Sequence, residues 1–332
     1  MTDALRTPTL DDVAARAGVS SATVSRFLNT SAVVAPKTAE RIREAIAATG
    51  YIPNLLAGGL ASNKTRQVSV LIPNLADSIF NETIEAMVTE LSAAGSVAML
   101  GLIGTEQSRT DELIMGALGR RVDAIITTGT FSAENRQVLR RSKVPVIEIW
   151  DLPDDPVDIA IGFSHRAAGR DMARFLKTRG YLRPHLLTAK GGRARMRSDG
   201  FIAEWLAQGG DAPSESAVDL PSRFGHARAA FATIKRLPEM PDVVVCGSDW
   251  LALGLIIEAQ ASGLKVPGDL GVTGFGNSTI AGDMRPTLTT IDIDGARIAR
   301  EAIGVLRSRA AGEVPIERRI DVGFRLIARD SA

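Results

Sequence analysis

Arg193, Arg195 and Arg197 stand at alternate positions in one short stretch of a 332-residue chain. A guanidinium offers a carboxylate two parallel donors, where a neutral hydroxyl needs only one. The cluster therefore suits an acidic small molecule, with at most one of the three arginines expected in a cleft and the others solvated. Residue types that carry catalysis lack their partners here. Cys246 is the single cysteine, which excludes a disulfide framework and a cysteine-based zinc site. His165, His185 and His226 have no metal-ligand spacing. No GxxxxGK[ST] loop occurs, and Gly274-Phe275-Gly276 lacks the remaining glycine of a dinucleotide fingerprint. Neither a Ser-His-Asp set nor paired carboxylates can be drawn. The residues point to binding rather than turnover, with no cofactor, no metal and no enzymatic step expected.

Two kinds of element must position these residues. Hydrophobic residues at 45% and charged residues at 23% make an ordinary globular balance, and the length fits two or three units. No apolar run approaches the ~20 residues of a membrane span. The stretch MTDALRTPTLDDVAARAG lacks the pattern of a secretory signal, so a cytoplasmic location without membrane association is expected.

Residues 9–28 read as two short helices around a tight turn. Thr9 can cap the first, with Asp12 as the capping-box acid, and Leu10, Val13, Ala14 and Ala17 form its apolar stripe. Gly18 stops it, Val19 plugs the turn and Ser20 can cap the second helix. A third helix from Pro36 to Gly50, with Ala39, Ile42, Ile46 and Thr49 inward, closes a small core. Up to Arg66 there are eight cations against five anions, an excess that makes nucleic acid worth testing.

After Thr65 the chain alternates apolar runs with amphipathic helices. Strands are expected at 68–72, 97–103, 124–127, 144–149, 159–162, 186–188, 243–246, 272–275 and 289–291. Helices are expected near 79–94, 108–121, 135–143, 165–178, 198–208, 225–236, 249–262 and 295–310. Apolar strands interleaved with helices imply an α/β fold with parallel sheets covered on both faces. So many units exceed one sheet, and two lobes with a cleft follow.

The segments TLDDVAARAGVSSATVSRFLN and PKTAERIREAIAATGYIPNLLA resemble the DNA-binding head of the lactose/galactose repressor family. LIPNLADSIF and VIEIWDLPDDPVDIAIGFSHRAAGRDMA are most similar to its gluconate-operon repressor branch. The resemblance implies a helix-turn-helix domain over 1–50 and a hinge helix and linker over 51–66. It implies a periplasmic-binding-protein-like effector and dimerisation domain over 67–332, with two doubly wound parallel sheets. Its N-lobe would comprise about 67–163 plus 293–325, and its C-lobe about 164–292 plus 326–332.

By the same resemblance Ser21, Ala22 and Arg26 face base edges, Arg26 with a fork suited to guanine O6 and N7. Ser20, Thr23, Ser25, Asn29 and Thr38 match phosphate contacts. Asn54 lies at the hinge entrance, and Leu60 matches a leucine that wedges into the minor groove. Gly58-Gly59 departs from the family pattern and implies a hinge helix that forms only on DNA. Ser78, Phe80, Asp151, Ser164, Arg197, Asp249 and Asn277 match effector-contact positions. Gly276 stands where some relatives carry an acid, and with the arginines this favours gluconate or another sugar acid. The expected whole is a homodimeric repressor of a pseudo-palindromic operator. A regulator responding to a neutral sugar and a solute-binding protein are the alternatives.

Overall fold

A computed structural model describes residues 7–29, 33–53, 65–75, 79–104, 107–129, 131–220, 223–313 and 317–332. The chain forms two compact units, one up to Arg66 and one from Gln67. Asn54, Gly58, Gly59, Leu60 and Ser78, named above for the hinge and the effector site, lie outside the described residues.

The first unit holds α1 (Leu10–Ala17), α2 (Ser21–Asn29) and α3 (Pro36–Thr49). Thr9 and Asp12 form a full capping box: Asp12 Oδ2 accepts from the Thr9 amide at 2.7 Å, and Thr9 Oγ1 accepts from the Asp12 amide. Gly18 ends α1 at φ 62°, a conformation that glycine adopts without a Cβ penalty. Val13, Ala14, Ala17, Val24, Ala39, Ile42 and Ala45 make the buried centre. Ala45 takes the place foreseen for Thr49, whose hydroxyl is half-buried and donates back to the Ala45 carbonyl at 2.8 Å. Arg41 on α3 donates to the Ala17 and Gly18 carbonyls, tying α3 to the C-terminus of α1.

The second unit opens with β1 (Gln67–Ile72), α4 (Asn81–Ala93), β2 (Val97–Leu102), α5 (Gln107–Gly119), β3 (Ala124–Thr127), α6 (Ala133–Ser142), β4 (Val146–Ile149) and β5 (Ile159–Gly162). It continues with α7 (His165–Thr178), β6 (Pro184–Ala189), α8 (Gly192–Ala207), β7 (Ser214–Val218), α9 (His226–Ile234), β8 (Val243–Cys246), α10 (Asp249–Ala261), β9 (Gly271–Thr273) and α11 (Thr279–Asp283). It closes with β10 (Thr290–Asp292), α12 (Gly295–Ala310), β11 (Arg319–Asp321) and β12 (Arg325–Ile327).

Two parallel sheets result, ordered β11-β5-β4-β3-β1-β2 and β7-β6-β8-β9, with β10 and β12 paired antiparallel. The central strands β3, β4 and β5 are buried throughout, as apolar strands covered by helices must be. The chain passes from the first sheet to the second between β5 and α7, and returns between β10 and α12. These doubly wound sheets are the two lobes.

Among the described elements, β7, β11, β12 and α11 were not foreseen. The helix expected at 198–208 begins six residues earlier, at Gly192. That extension decides the geometry of the arginine cluster.

Candidate functional site

On the first unit, Ala22 and Arg26 are exposed on one face of α2, while Val24 on the opposite face is fully shielded. This is the 3.6-residue period of an amphipathic helix whose outer side is left for a partner. Ser20 Oγ accepts from the Thr23 amide at 3.2 Å and lies 2.9 Å from Thr23 Oγ1, so both hydroxyls also close the start of α2. Ser21 donates to Asp11 Oδ1 on α1, which holds the two helices of the turn together. Thr38 is half-buried in the first turn of α3, and Ser25 half-buried on α2. Asn29 is the last residue of α2.

In the second unit the arginines lie on one helix, so their spacing has a different meaning from that of a loop. Arg193 and Arg197 are four residues apart and share a face, while Arg195 points away. Arg195 is accordingly solvated and pairs with Asp199 at 2.6 Å and Glu215 at 3.1 Å. Arg193 and Arg197 thus share the inward face of α8, and of the three arginines Arg197 alone lines the cavity described below. Arg193 donates to the Thr128 carbonyl of the first lobe and lies 3.7 Å from Asp151 Oδ2. Arg197 stacks over the Phe275 ring at 3.9 Å and donates to the Gly247 carbonyl at 3.3 Å. Among the described residues no carboxylate pairs with Arg197. Burial, and then the neighbouring Arg193 charge, pushes its pKa down to about 9, which leaves it cationic at neutral pH. Burial also lowers Arg193, against the pull of Asp151.

Glycines place α8. A Cβ on Gly169 of α7 would overlap the Arg197 carbonyl, and one on Gly200 of α8 would overlap the Arg166 carbonyl. The two helices thus touch backbone to backbone beside the arginine.

His165, the first residue of α7, is buried, and its Nδ1 lies 3.2 Å from Arg197 Nη1. Its Nε2 lies 3.0 Å from the carbonyl of Trp150. Burial first, then Arg197 and Arg193, hold its pKa down at about 2. Trp150 adopts φ 67°, rare for a bulky residue, and its indole donates to Thr83 Oγ1 on α4 at 2.9 Å. Phe80 packs edge-on against Trp150 at 5.0 Å. The sequence reading missed His165, because one histidine at a helix start carries no spacing signature.

The remaining expected residues are engaged by the protein itself. Ser164 caps α7, accepting from the Ala167 amide at 3.2 Å. Ser248 caps α10. Asp249 is buried and accepts from Thr290 Oγ1 and the Ser278 amide, each at 2.6 Å, and from Ser278 Oγ at 3.0 Å. Desolvation raises its pKa against the pull of these bonds. Asn277 donates to Asp292 at 3.0 Å and accepts from Arg329 at 2.8 Å, so both ends of its amide are held. Asp249 and Asn277 therefore brace the 274–278 loop. Gly276, at φ 121°, has Ile79 Cγ2 2.8 Å from the place of a Cβ, so an acidic side chain has no room there. A cavity of about 40 Å³ lies beside Arg197, lined among others by Thr188, Ser198, Phe201, Cys246 and Phe275.

The sequence signature described as bacterial regulatory proteins, lacI family, matches residues 9–54, and that of a periplasmic binding protein-like domain matches 173–332. The HTH-type transcriptional regulator GntR of Pseudomonas aeruginosa is 32% identical over 328 residues, covering 98% of this chain and 95% of its own length. The chain belongs to the lacI family. This lacI-family chain is thus a DNA-binding transcriptional regulator and not an enzyme. A lacI-family regulator from Silicibacter pomeroyi superposes with a TM-score of 0.90 at 30% identity, covering 98% of this chain and 99% of that one. The lac repressor dimer bound to operator and the anti-inducer ONPF shares the fold, with a TM-score of 0.87 at 23% identity over 98% of this chain and 99% of the other. No helix among the described residues is long and apolar enough to cross a membrane.

Proposed function

We propose that this regulator acts in the cytoplasm as a homodimeric repressor of a two-fold operator, and that gluconate or a related sugar acid bound between the lobes changes its grip on DNA. Arg26 is the base reader and Ala22 a methyl contact; Ser20, Ser21, Thr23, Ser25, Asn29 and Thr38 set register on the phosphates. Residues 1–50 form the DNA-binding domain and 51–66 the hinge, with Asn54 and Leu60 at the operator. Within 67–332, the N-lobe is 67–163 plus 293–325 and the C-lobe 164–292 plus 326–332. Edge strand β2 exposes Val97, Leu100 and Leu102, and α5 exposes Met115. Such apolar surface on an edge strand supports pairing with a second copy.

The observation that carries the effector reading is the like-charged, half-buried pair Arg193 and Arg197, with the carboxylate of Asp151 beside Arg193 and no carboxylate among the described residues paired with Arg197. Two cations on one helix face repel each other, and an anion between them relieves that repulsion. The 40 Å³ cavity beside Arg197 is lined by C-lobe residues alone and is far below the ~300 Å³ of an ordinary ligand pocket, so the effector is proposed to sit in the gap between the lobes, opened by their relative movement. Differential binding to open and closed forms then biases the DNA-binding state. Phe80 supports the floor through Trp150; Ser164, Asp249 and Asn277 hold the frame; Ser78 is kept as an effector contact on the family match alone.

Calorimetry with gluconate, a keto-gluconate and glucose tests this. The acids should bind wild type tenfold to a hundredfold more tightly than glucose, as a charge-assisted contact of ~1.5–3 kcal/mol implies. Arg197→Met should largely abolish the preference. Glucose binding as tightly as the acids would replace this reading with a neutral-sugar regulator.

A further inference from the structure

We infer that His165 is a specificity-determining residue: it holds Arg197 in place with a neutral acceptor, and so leaves the guanidinium charge for an anionic ligand. The inference rests on the effector reading above and adds a residue to it. A backbone carbonyl only accepts hydrogen bonds, so the nitrogen 3.0 Å from the Trp150 carbonyl must carry the proton. That is Nε2. A neutral imidazole has one N–H, so Nδ1 presents a lone pair, and it faces the donor-only Nη1 of Arg197 at 3.2 Å. Each hydrogen bond has one possible direction, and together they fix the tautomer.

The surroundings keep the ring in this state. Phe163 packs edge-on at 4.5 Å and Phe275 lies tilted at 6.4 Å, with Arg197 on the Phe275 face. Trp150 cannot swing its carbonyl away freely, because its indole is bonded to Thr83 and its ring is packed by Phe80 and Phe163. The charged groups that reach His165 electrostatically are Arg193 and Arg197, both of α8, and both oppose its protonation.

The alternative way to fix a buried arginine is a carboxylate, as Asp151 does for Arg193. A carboxylate at position 165 would cancel the Arg197 charge and repel an incoming acid. A neutral acceptor orients the guanidinium and cancels nothing. The two arginines thus divide the work: Arg193 is balanced within the protein, and Arg197 is left positive for the ligand.

Gluconate and glucose titrations of wild type, His165→Asp and His165→Asn, with thermal melts of each, test the assignment. In His165→Asp, gluconate affinity should fall about tenfold or more while glucose affinity stays within about threefold, since only the anion loses its partner charge. In His165→Asn the amide oxygen replaces Nδ1, and the preference for gluconate should persist within about threefold. Nitrogen-15 NMR of wild type supplies a readout independent of ligand and of variant folding. It should show the Nε2–H tautomer with no titration between about pH 5.5 and 8. A wild type without acid preference overturns the effector reading. A wild type with that preference, whose His165→Asp variant keeps it, or an Nδ1–H or titrating ring, overturns the role of His165 alone.

Discussion

In the first unit Ala22 and Arg26 stand on the exposed face of α2, and Val24 on the other face is fully shielded. In the second unit Arg193, Arg197 and His165 face inward, and their positions depend on where two helix backbones meet. The head positions its polar groups by helix periodicity and caps, so an exposed side chain such as Arg26 can change without moving its neighbours. The pocket positions its groups by close packing of backbone and buried hydrogen bonds, so a small change of volume travels. Positional control is local in one unit and collective in the other.

That contrast is open to direct attack. The largest effect should come from Gly200→Ala, where the new methyl meets the Arg166 carbonyl and the helices must separate. A cost of about 3 kcal/mol is expected from overpacking. Denaturant unfolding should show it, together with weakened gluconate binding. A variant as stable as wild type would mean that the seam adjusts and that control in the pocket is as local as in the head.

Arg26→Ala makes the matching attack on the head. It should weaken specific operator binding by ~1–3 kcal/mol, with unfolding and gluconate titrations unchanged. Equal weakening on operator and random DNA in a gel-shift titration would reduce Arg26 to a phosphate contact.

Acid should separate the units, because all three histidines lie in the second. The folded pKa of His165 is held at about 2, far below its unfolded value, so the unfolded chain takes up the proton first. The stability is complete above the unfolded value and is lost as pH falls through it. Between pH 7 and pH 5 this one residue should remove ~2 kcal/mol. Burial holds His185 at about 4, and it acts in the same direction. Monitoring both units during unfolding at pH 5 and pH 7 should show the loss in the second, and a loss confined to the head would break the comparison.

The smallest effect is Thr9→Ala, which deletes one partner of the capping box. About 1 kcal/mol should disappear from the head alone, read from its own melting transition.

The contrast also explains what could be read beforehand. Thr9, Asp12, Gly18 and Pro36 announce helix ends by local chemistry, and those ends are where the sequence placed them. Apolar runs such as Ala124–Thr127 announce buried strands equally well. Ser214–Val218 was missed because it is a half-exposed edge strand of mixed residues, and Arg319–Asp321 because it is short and polar. Two adjacent glycines at 191–192 give no helix-start signal, which hides the start of α8 and with it the shared face of Arg193 and Arg197. His165 depends on a carbonyl fifteen residues away and on an arginine of another helix, and no local pattern encodes that meeting. Asp249 and Asn277 matched by position, yet their partners Thr290, Asp292 and Arg329 come from distant segments.

The seam at Gly169 and Gly200 bears on how this scaffold could acquire a new effector. Contact there is between main chains, so the point from which the side chains at 193 and 197 depart does not depend on what those side chains are. On the proposed effector reading, ligand preference becomes an exchangeable cassette of three positions, 165, 193 and 197, mounted on a foundation of main-chain contact. Diversification confined to the cassette keeps the frame in register, whereas a single added methyl in the foundation shifts every cassette position at once. A lineage, or a designer, can therefore trade an acid for a neutral sugar in a few steps without first rebuilding the fold.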